Sequence, residues 1–351
     1  MNKPFFSIVI PTFNRAKSLR LLLENIYQQS FSDFEIIIQD NDSTDNTRDL
    51  VYKYNKKHNN IYYRKNESNI RTARNLYKGI LRARGKYIFM MGDDDLILKK
   101  DTLFNIYKIL KNKEIGFIRL KFIYHNDFSY LFTYFANKGK EDIYFQKKSQ
   151  NLEIYNFLYK YFQFISGVIF KNIRNKRIEL LEKNNNSLYM DSFYIHYLFN
   201  LTKKYGAMVM NNEIIIATWS PKKNSTDYYD FVDNKAYFEE MWKFIKPNLS
   251  SREMNIWRKK EVIANLYNLP SIKYYSNNKN LLMTFRRILK LDKTLAYNFF
   301  TYVIFVFAFL CPKIIWETIR GFVYRANSVK DTLLLSRFNE LLSELNIKKE
   351  Q

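Results

Sequence analysis

Two apolar rhythms alternate along the first third of the chain. Short unbroken apolar runs at Phe5–Ile10, Phe34–Ile38, Ile61–Tyr63, Tyr87–Met91 and Ile115–Leu120 predict buried strands. Between them, apolar residues recur at helical spacing over Ala16–Gln29 (Leu19, Leu22, Leu23, Ile26, Tyr27), Ser43–Tyr54, Asn69–Arg84 (Ala73, Leu76, Tyr77, Ile80, Leu81) and Asp101–Leu110. Strand–helix alternation of this kind predicts an α/β architecture, a parallel sheet with helices on both faces.

Beyond Leu120 the rhythm weakens. Phe122–Phe145 is aromatic and poorly periodic and reads as an insertion or flap. Phe164–Phe170 returns to strand character, with Gly167 permitting close backbone approach. A helix is expected from Asp191, and then two short strands, Ala207–Met210 and Glu213–Thr218, before a loop at Trp219–Lys223. Tyr228–Tyr267 is helical in pattern, Asn277–Asn280 is a polar break, and Ser328–Gln351 reads as an amphipathic helix carrying Leu333, Leu334, Phe338, Leu341, Leu342 and Leu345. The division expected is residues 1–225 (1–120 and 121–225 as its two halves) and a helical region, 226–351.

Three polar clusters fall at predicted strand ends: Pro11-Thr12-Phe13-Asn14-Arg15, Asp40-Asn41-Asp42-Ser43-Thr44-Asp45, and Gly92-Asp93-Asp94-Asp95. In an open parallel sheet ligands gather outside the carboxyl ends of the strands, so clusters far apart in sequence share one rim. Three adjacent carboxylates repel one another. A hard divalent cation would relieve that repulsion, since Mg2+ binds through one or two carboxylates plus substrate phosphates; an acidic cap for the helix beginning near Asp101, or a solvated turn, is the other reading. Ser43 or Thr44 is expected to cap the second helix.

Composition narrows the field. The net charge of +23 suits an anionic partner, whether nucleic acid, a phosphorylated substrate or an anionic membrane face, and equally a solvated lysine surface. One cysteine and three histidines leave neither a disulfide framework nor a zinc cluster. Met1-Asn2-Lys3-Pro4 leads straight into a strand without the layout of a signal peptide. No Gly-x-Gly-x-x-Gly follows the first strand, which argues against a dinucleotide-binding domain, and there is no Walker motif.

The three clusters, read with Ile8-Val9-Ile10 before the first and Gly85-Lys86-Tyr87-Ile88 before the last, resemble the family 2 glycosyltransferases of the GT-A fold, and most closely the bacterial branch that builds surface polysaccharide. The resemblance is close over residues 5–120 and looser to about 220. It implies a mostly parallel, Rossmann-like sheet, a nucleotide-diphosphate-sugar donor (a UDP-sugar by the same resemblance), Mg2+ or Mn2+, and a glycan or lipid-linked acceptor. Asp40 matches the position that contacts the base, with Pro11, Thr12 and Asn14 in the neighbouring loop. Asp93 and Asp94 match the Asp-x-Asp region, the metal falling chiefly to Asp94, with Asp93 and Asp95 as further candidates. Gly92 stands where the family often has the leading Asp, so Asp93 is left to meet the ribose. Many relatives have glycine where this chain has Arg71; Arg71 and Arg74 either meet the base or diphosphate or form a solvent-facing helix start. Asp191 matches the catalytic base that takes the acceptor's proton in an inverting transfer; a helix cap is the other reading of that residue.

Thr294–Trp316 is the most apolar stretch, and Phe299–Pro312 contains no charge. Arg286, Arg287, Lys290 and Lys293 precede it, and Lys313, Arg320 and Arg325 follow. That pattern suits a helix lying in the interface of an anionic leaflet, at the inner face of the cell membrane; a buried core helix and a spanning helix are the alternatives. Two other functions stay open on the sequence. A nucleotidyltransferase shares the sheet and acidic turn but usually opens with a glycine-rich loop, and a nucleic-acid-binding protein would suit the charge but not the acidic rim.

Overall fold

The structure, a computed structural model, describes residues 3–126, 130–132, 141–146, 165–173, 191–218, 250–253, 281, 282, 285, 286, 289, 297, 299–312, 314, 315, 318 and 331–347. The chain divides into two compact units, Met1–Gln150 with Phe157–Ser220 and Asn327–Gln351, and Asn151–Asn156 with Pro221–Ala326.

The first unit is built on one sheet. Strands β1 (Phe6–Thr12), β2 (Phe34–Asp40), β3 (Ile61–Lys65) and β4 (Tyr87–Met90) lie in the order β3-β2-β1-β4, all parallel. β1 is buried on both faces throughout, the state expected of a parallel strand with helices above and below. On one face Ile8, Ile10, Ile36, Ile38 and Phe89 pack against Leu19, Leu22 and Ile26 of α1 (Ala16–Tyr27), and against Leu103, Ile106 and Leu110 of α4 (Thr102–Asn112). α3 (Thr72–Arg82) takes the other face, where Gly79 comes so near that an added Cβ would lie 2.7 Å from Val9 Cγ1. α2 (Thr47–Asn55) packs beside α1.

Past β4 the sheet is mixed. β9 (Val168–Lys171) runs antiparallel between β4 and β6 (Phe117–Asn126), and β10 (Ala207–Thr218) runs parallel to β6. β5 (Leu96–Ile97) and β8 (Ile143–Phe145) pair antiparallel with β10, and β7 (Tyr130–Phe132) with β6. α5 (Asp191–Tyr205) packs on this half, the ring of Tyr197 edge-on to Phe170 at 5.6 Å. The described part of Phe122–Phe145 therefore extends the sheet, where an aperiodic flap is expected. The two short strands expected over 207–218 are one, bulged between Met210 and Ile214. The loop at Trp219–Lys223, the segment Tyr228–Tyr267 and the break at Asn277–Asn280 lie outside the described residues.

The terminal helix α7 (Thr332–Glu344) belongs to this same unit. Phe338, Leu341, Leu342 and Leu345 cover Leu96, Leu98, Ile123, Ile214 and Ile216. Asp331 caps its start by accepting from Leu334 N–H at 3.1 Å, and Glu344 pairs with Lys100 at 2.5 Å. Leu333 faces away and is exposed.

In the second unit, α6 (Phe299–Leu310) buries Thr301 and Ala308, with Cys311 just beyond its end, and stacks Phe305 on Phe285 at 4.0 Å. Phe299, Phe300, Val303, Val306, Phe307 and Leu310 are exposed. Among the described residues no helix is long and apolar enough to cross a membrane.

Candidate active site

The strand order β3-β2-β1-β4 reverses direction between β1 and β4, and in open α/β sheets such a reversal opens a crevice at the carboxyl ends of the strands. Proline helps to open it. Tyr87 N–H and Met91 N–H bond to Phe5 O and Val9 O, so the odd residues of β1 face β4, and Pro11 is the next of them. It has no N–H to give, and the pairing with β4 ends at Val9↔Met90.

Across this crevice Thr12 Oγ1 donates to Asp93 Oδ2 at 2.7 Å. Arg15 Nη1 donates to Asp93 Oδ1 at 3.2 Å and also to Asp94 Oδ2. Asp93 is buried, Asp94 half-buried. Burial first, and the charge of Asp94 second, hold the Asp93 carboxyl above the usual carboxylate range, against the opposite pull of Arg15 and Thr12.

Asp95 turns the other way. Its Oδ2 accepts from Ser166 Oγ, which in turn accepts from Gly92 N–H at 2.6 Å. A Cβ on Gly92 would stand 2.6 Å from that same Asp95 oxygen. The place where the resemblance implies a leading Asp is thus filled by the Asp95 carboxylate folding back, and only glycine leaves room for it.

The second cluster forms the adjoining rim. Asp40, fully buried, accepts from Ser43 N–H at 2.7 Å and from Tyr63 OH at 2.6 Å. Burial, with the bond to Asp40, keeps the Tyr63 phenol protonated well above its ordinary range. Asn14 ties the first loop to the second, its Oδ1 accepting from Thr44 N–H at 2.7 Å and its N–H donating to Ser43 Oγ at 2.8 Å. Because these backbone groups are engaged, α2 starts at Thr47 and not at Ser43. Neither Ser43 nor Thr44 caps it; Asp45 accepts from Thr47 N–H instead, at 3.1 Å.

Asn14, Asp42 and Arg71, one in each loop after β1, β2 and β3, have φ of 52°, 73° and 71°. Left-handed backbone of this kind is tolerated by Asn and Asp. Arg71, with ψ 159°, occupies a region that is essentially glycine's own. Glycine, which the resemblance implies at this position, would adopt that backbone without strain. Arg71 is exposed at the start of α3 and Arg74 is half-buried one turn on. Asp191 opens α5, and its side chain lies outside the described residues.

Beneath the rim lies an amide network that the apolar pattern did not reveal. Gln39 Nε2 donates to Asn66 Oδ1 at 3.0 Å, Asn66 Nδ2 to Asn75 Oδ1 at 2.8 Å, and Asn75 Nδ2 to Gln39 O at 2.7 Å. All three are buried, and they lock α3 against β2. Tyr63 and Ser166 lie in stretches that the pattern reads as strands, but nothing in that pattern marks them as partners of Asp40 and Asp95. Arg15 stands out only as the last residue of the first strand-end cluster.

Among the described residues no group of three or more His, Cys, Asp or Glu could hold a metal. Asp93 and Asp94 meet at one cationic nitrogen, Arg15 Nη1. That donor set fits a hard ion that takes two carboxylates from protein and the rest of its shell from phosphate and water.

Residues 7–173 match the family model described as Glycosyl transferase family 2. This segment belongs to glycosyl transferase family 2. The family 2 domain is 35% identical over 97 residues to the GalNAc(5)-diNAcBac-PP-undecaprenol beta-1,3-glucosyltransferase of Campylobacter jejuni, covering 27% of this chain and 31% of that protein. It is 40% identical over 100 residues to abequosyltransferase RfbV of Salmonella typhimurium, covering 28% and 30%. The chain spans less than half the length of the curated relatives it matches. Among solved structures it resembles S. aureus TarS 1–349 in complex with UDP-GlcNAc, at TM-score 0.50 and 17% identity over 83% of each chain. That likeness is one of fold, and the fold is GT-A.

Proposed function

We propose that this chain is an inverting glycosyltransferase that moves a sugar from a nucleoside-diphosphate donor, a UDP-sugar, to a lipid-linked or oligosaccharide acceptor in bacterial surface-glycan synthesis. The observation that carries the reading is the meeting of Thr12, Arg15, Asp93 and Asp94 at the β1/β4 crevice. The family 2 match supports the chemistry. The undecaprenol-linked name of one relative supports the acceptor class.

In this reading Pro11, Thr12, Asn14, Arg71 and Arg74 line the donor's side of the crevice. Asp40 works from below, fixing the Ser43 backbone and the Tyr63 hydroxyl against which the base rests. Asp93 meets the ribose, and Asp94, with Asp93, holds Mg2+ or Mn2+. Asp95 is committed to Ser166 and keeps the turn in shape. The cation, when bound, neutralises charge developing on the departing diphosphate. Asp191 takes the proton of the acceptor hydroxyl as its oxygen attacks the anomeric carbon and the bond to the diphosphate breaks.

Purified protein incubated with a panel of nucleotide-sugars and Mn2+, with released nucleoside diphosphate as readout, identifies the donor. Asp94→Ala is expected to abolish release while the fold, followed by circular dichroism, is kept. Undiminished release by that variant would falsify the assignment.

The exposed face of α6 supports a peripheral place at the inner face of the cell membrane. Phe299, Val303, Val306, Phe307 and Leu310 fall on one side of the helix, opposite the buried Thr301 and Ala308. Basic residues flank the segment in sequence. An apolar helix face beside basic residues suits the headgroup–acyl boundary of an anionic leaflet. Flotation with phosphatidylglycerol vesicles is expected for the full chain. It should be lost in Phe299→Ser/Val303→Ser/Phe307→Ser; flotation unchanged by that substitution refutes the membrane role of α6.

A further inference from the structure

Arg15 reaches the acidic turn through a single nitrogen, Nη1, which lies 3.2 Å from Asp93 Oδ1 and bonds Asp94 Oδ2 as well. Its side chain is 37% exposed, so the residue is only partly enclosed by the crevice. Its backbone is fixed, because Arg15 O accepts from Leu19 N–H at 2.9 Å in the first turn of α1. Any movement of its charge is therefore a rotamer change of a long side chain, which costs little.

Two carboxylates converging on one cationic atom present the same lone pairs that a divalent ion takes. A guanidinium and a doubly charged ion cannot share them. Held on the same two carboxylates, they repel each other strongly in the low dielectric of a buried turn. Asp93 and Asp94 repel each other in a largely buried turn, and the Arg15 charge offsets that repulsion when no donor is present.

Resting on the donor-site reading above, we infer that Arg15 is an internal counter-ion for Asp93 and Asp94. It fills the cation position in the unloaded protein, is displaced by the divalent ion, and transfers its charge to the diphosphate that arrives with that ion. The bare ion then binds weakly because it must evict Arg15. Ion and nucleoside diphosphate bind together well, because the diphosphate offers the evicted guanidinium a new anion, to which arginine's planar fork is suited. Ion and nucleotide are coupled through one side chain, and such coupling is reciprocal.

The test is Mn2+ binding without nucleotide, followed by the electron paramagnetic resonance of free Mn2+, for the wild type, Arg15→Gln and Arg15→Lys. Arg15→Gln is expected to bind Mn2+ alone about tenfold tighter than the wild type and UDP, at fixed saturating Mn2+, about tenfold more weakly, within the range of ordinary coupling energies. Arg15→Lys should track the wild type. If both wild type and Arg15→Gln bind Mn2+ with UDP, yet Arg15→Gln binds Mn2+ alone no tighter, the counter-ion role is wrong and the donor site stands. If neither holds Mn2+ even with UDP, the donor-site reading fails and the inference with it. A second measurement needs no variant in the binding comparison. The side-chain 15N resonance of Arg15, assigned by its loss in Arg15→Lys, should shift when Mg2+ and UDP are added together to the wild type; a signal that stays in place overturns the displacement.

Discussion

Ser166 and Asp95 form a buried clamp on the acidic turn: the Ser166 hydroxyl donates to the Asp95 carboxylate and accepts from Gly92 N–H at 2.6 Å. The serine belongs to the segment leading into β9, so the far half of the sheet sets the shape of a turn that ends β4. Removing the hydroxyl leaves a buried carboxylate short of a donor, at a cost of about 1–3 kcal/mol. Ser166→Ala is expected to lower the melting temperature by several degrees and to reduce turnover at saturating donor. Unchanged melting and turnover would show that the clamp is dispensable.

Thr12→Val removes one donor to Asp93 with little change of volume. Hydrogen bonds to charged groups contribute about 1.5–3 kcal/mol. Asp93 should then be held less firmly in the crevice, and the affinity for UDP in the presence of Mn2+, measured by calorimetry, is expected to fall about tenfold. Equal affinities would place Asp93 outside the donor site.

Arg71 keeps a glycine-type backbone, φ 71° and ψ 159°, at a strain of about 1–3 kcal/mol. Arg71→Gly should relieve that strain and raise the stability measured by denaturant unfolding, although it removes a cation from the rim. If the side chain meets the diphosphate, the KM for donor rises at the same time. A variant that is more stable with KM unchanged would leave the arginine no part in donor binding.

His125 is buried on β6 near Phe338 of the docked α7, their rings 6.4 Å apart. Burial lowers its pKa to about 4, so the folded state keeps the imidazole neutral while the unfolded chain protonates at its ordinary value near 6.5. Stability from this group is therefore complete above about pH 6.5 and is lost as pH falls toward 4, by at most about 1.4 kcal/mol per pH unit. Urea unfolding at pH 7 and pH 5 should show that loss, and His125→Asn should flatten the difference; an equal pH dependence in the two proteins would clear His125 of the effect.

The strand–helix order, the three polar clusters and the amphipathic tail were legible because each rests on local information. Period and composition suffice to tell a buried strand from a one-faced helix, and the polar residues at strand ends need only the parallel topology to share a rim. Thr12 and Asp93, 81 positions apart, were expected on that ground, and they meet. What the tertiary structure decided concerns partners. Gly92 lacks a side chain because Asp95 folds into its place, Asp95 is turned from the crevice by a serine 71 positions away, and Asp40 is buried under Tyr63. A hydrogen bond depends on direction and distance between atoms, and neither is encoded in the spacing of residues along the chain. The same holds for α7, whose apolar stripe was plain in the sequence although the strands it covers, β5, β6 and β10, became one surface only when the sheet closed.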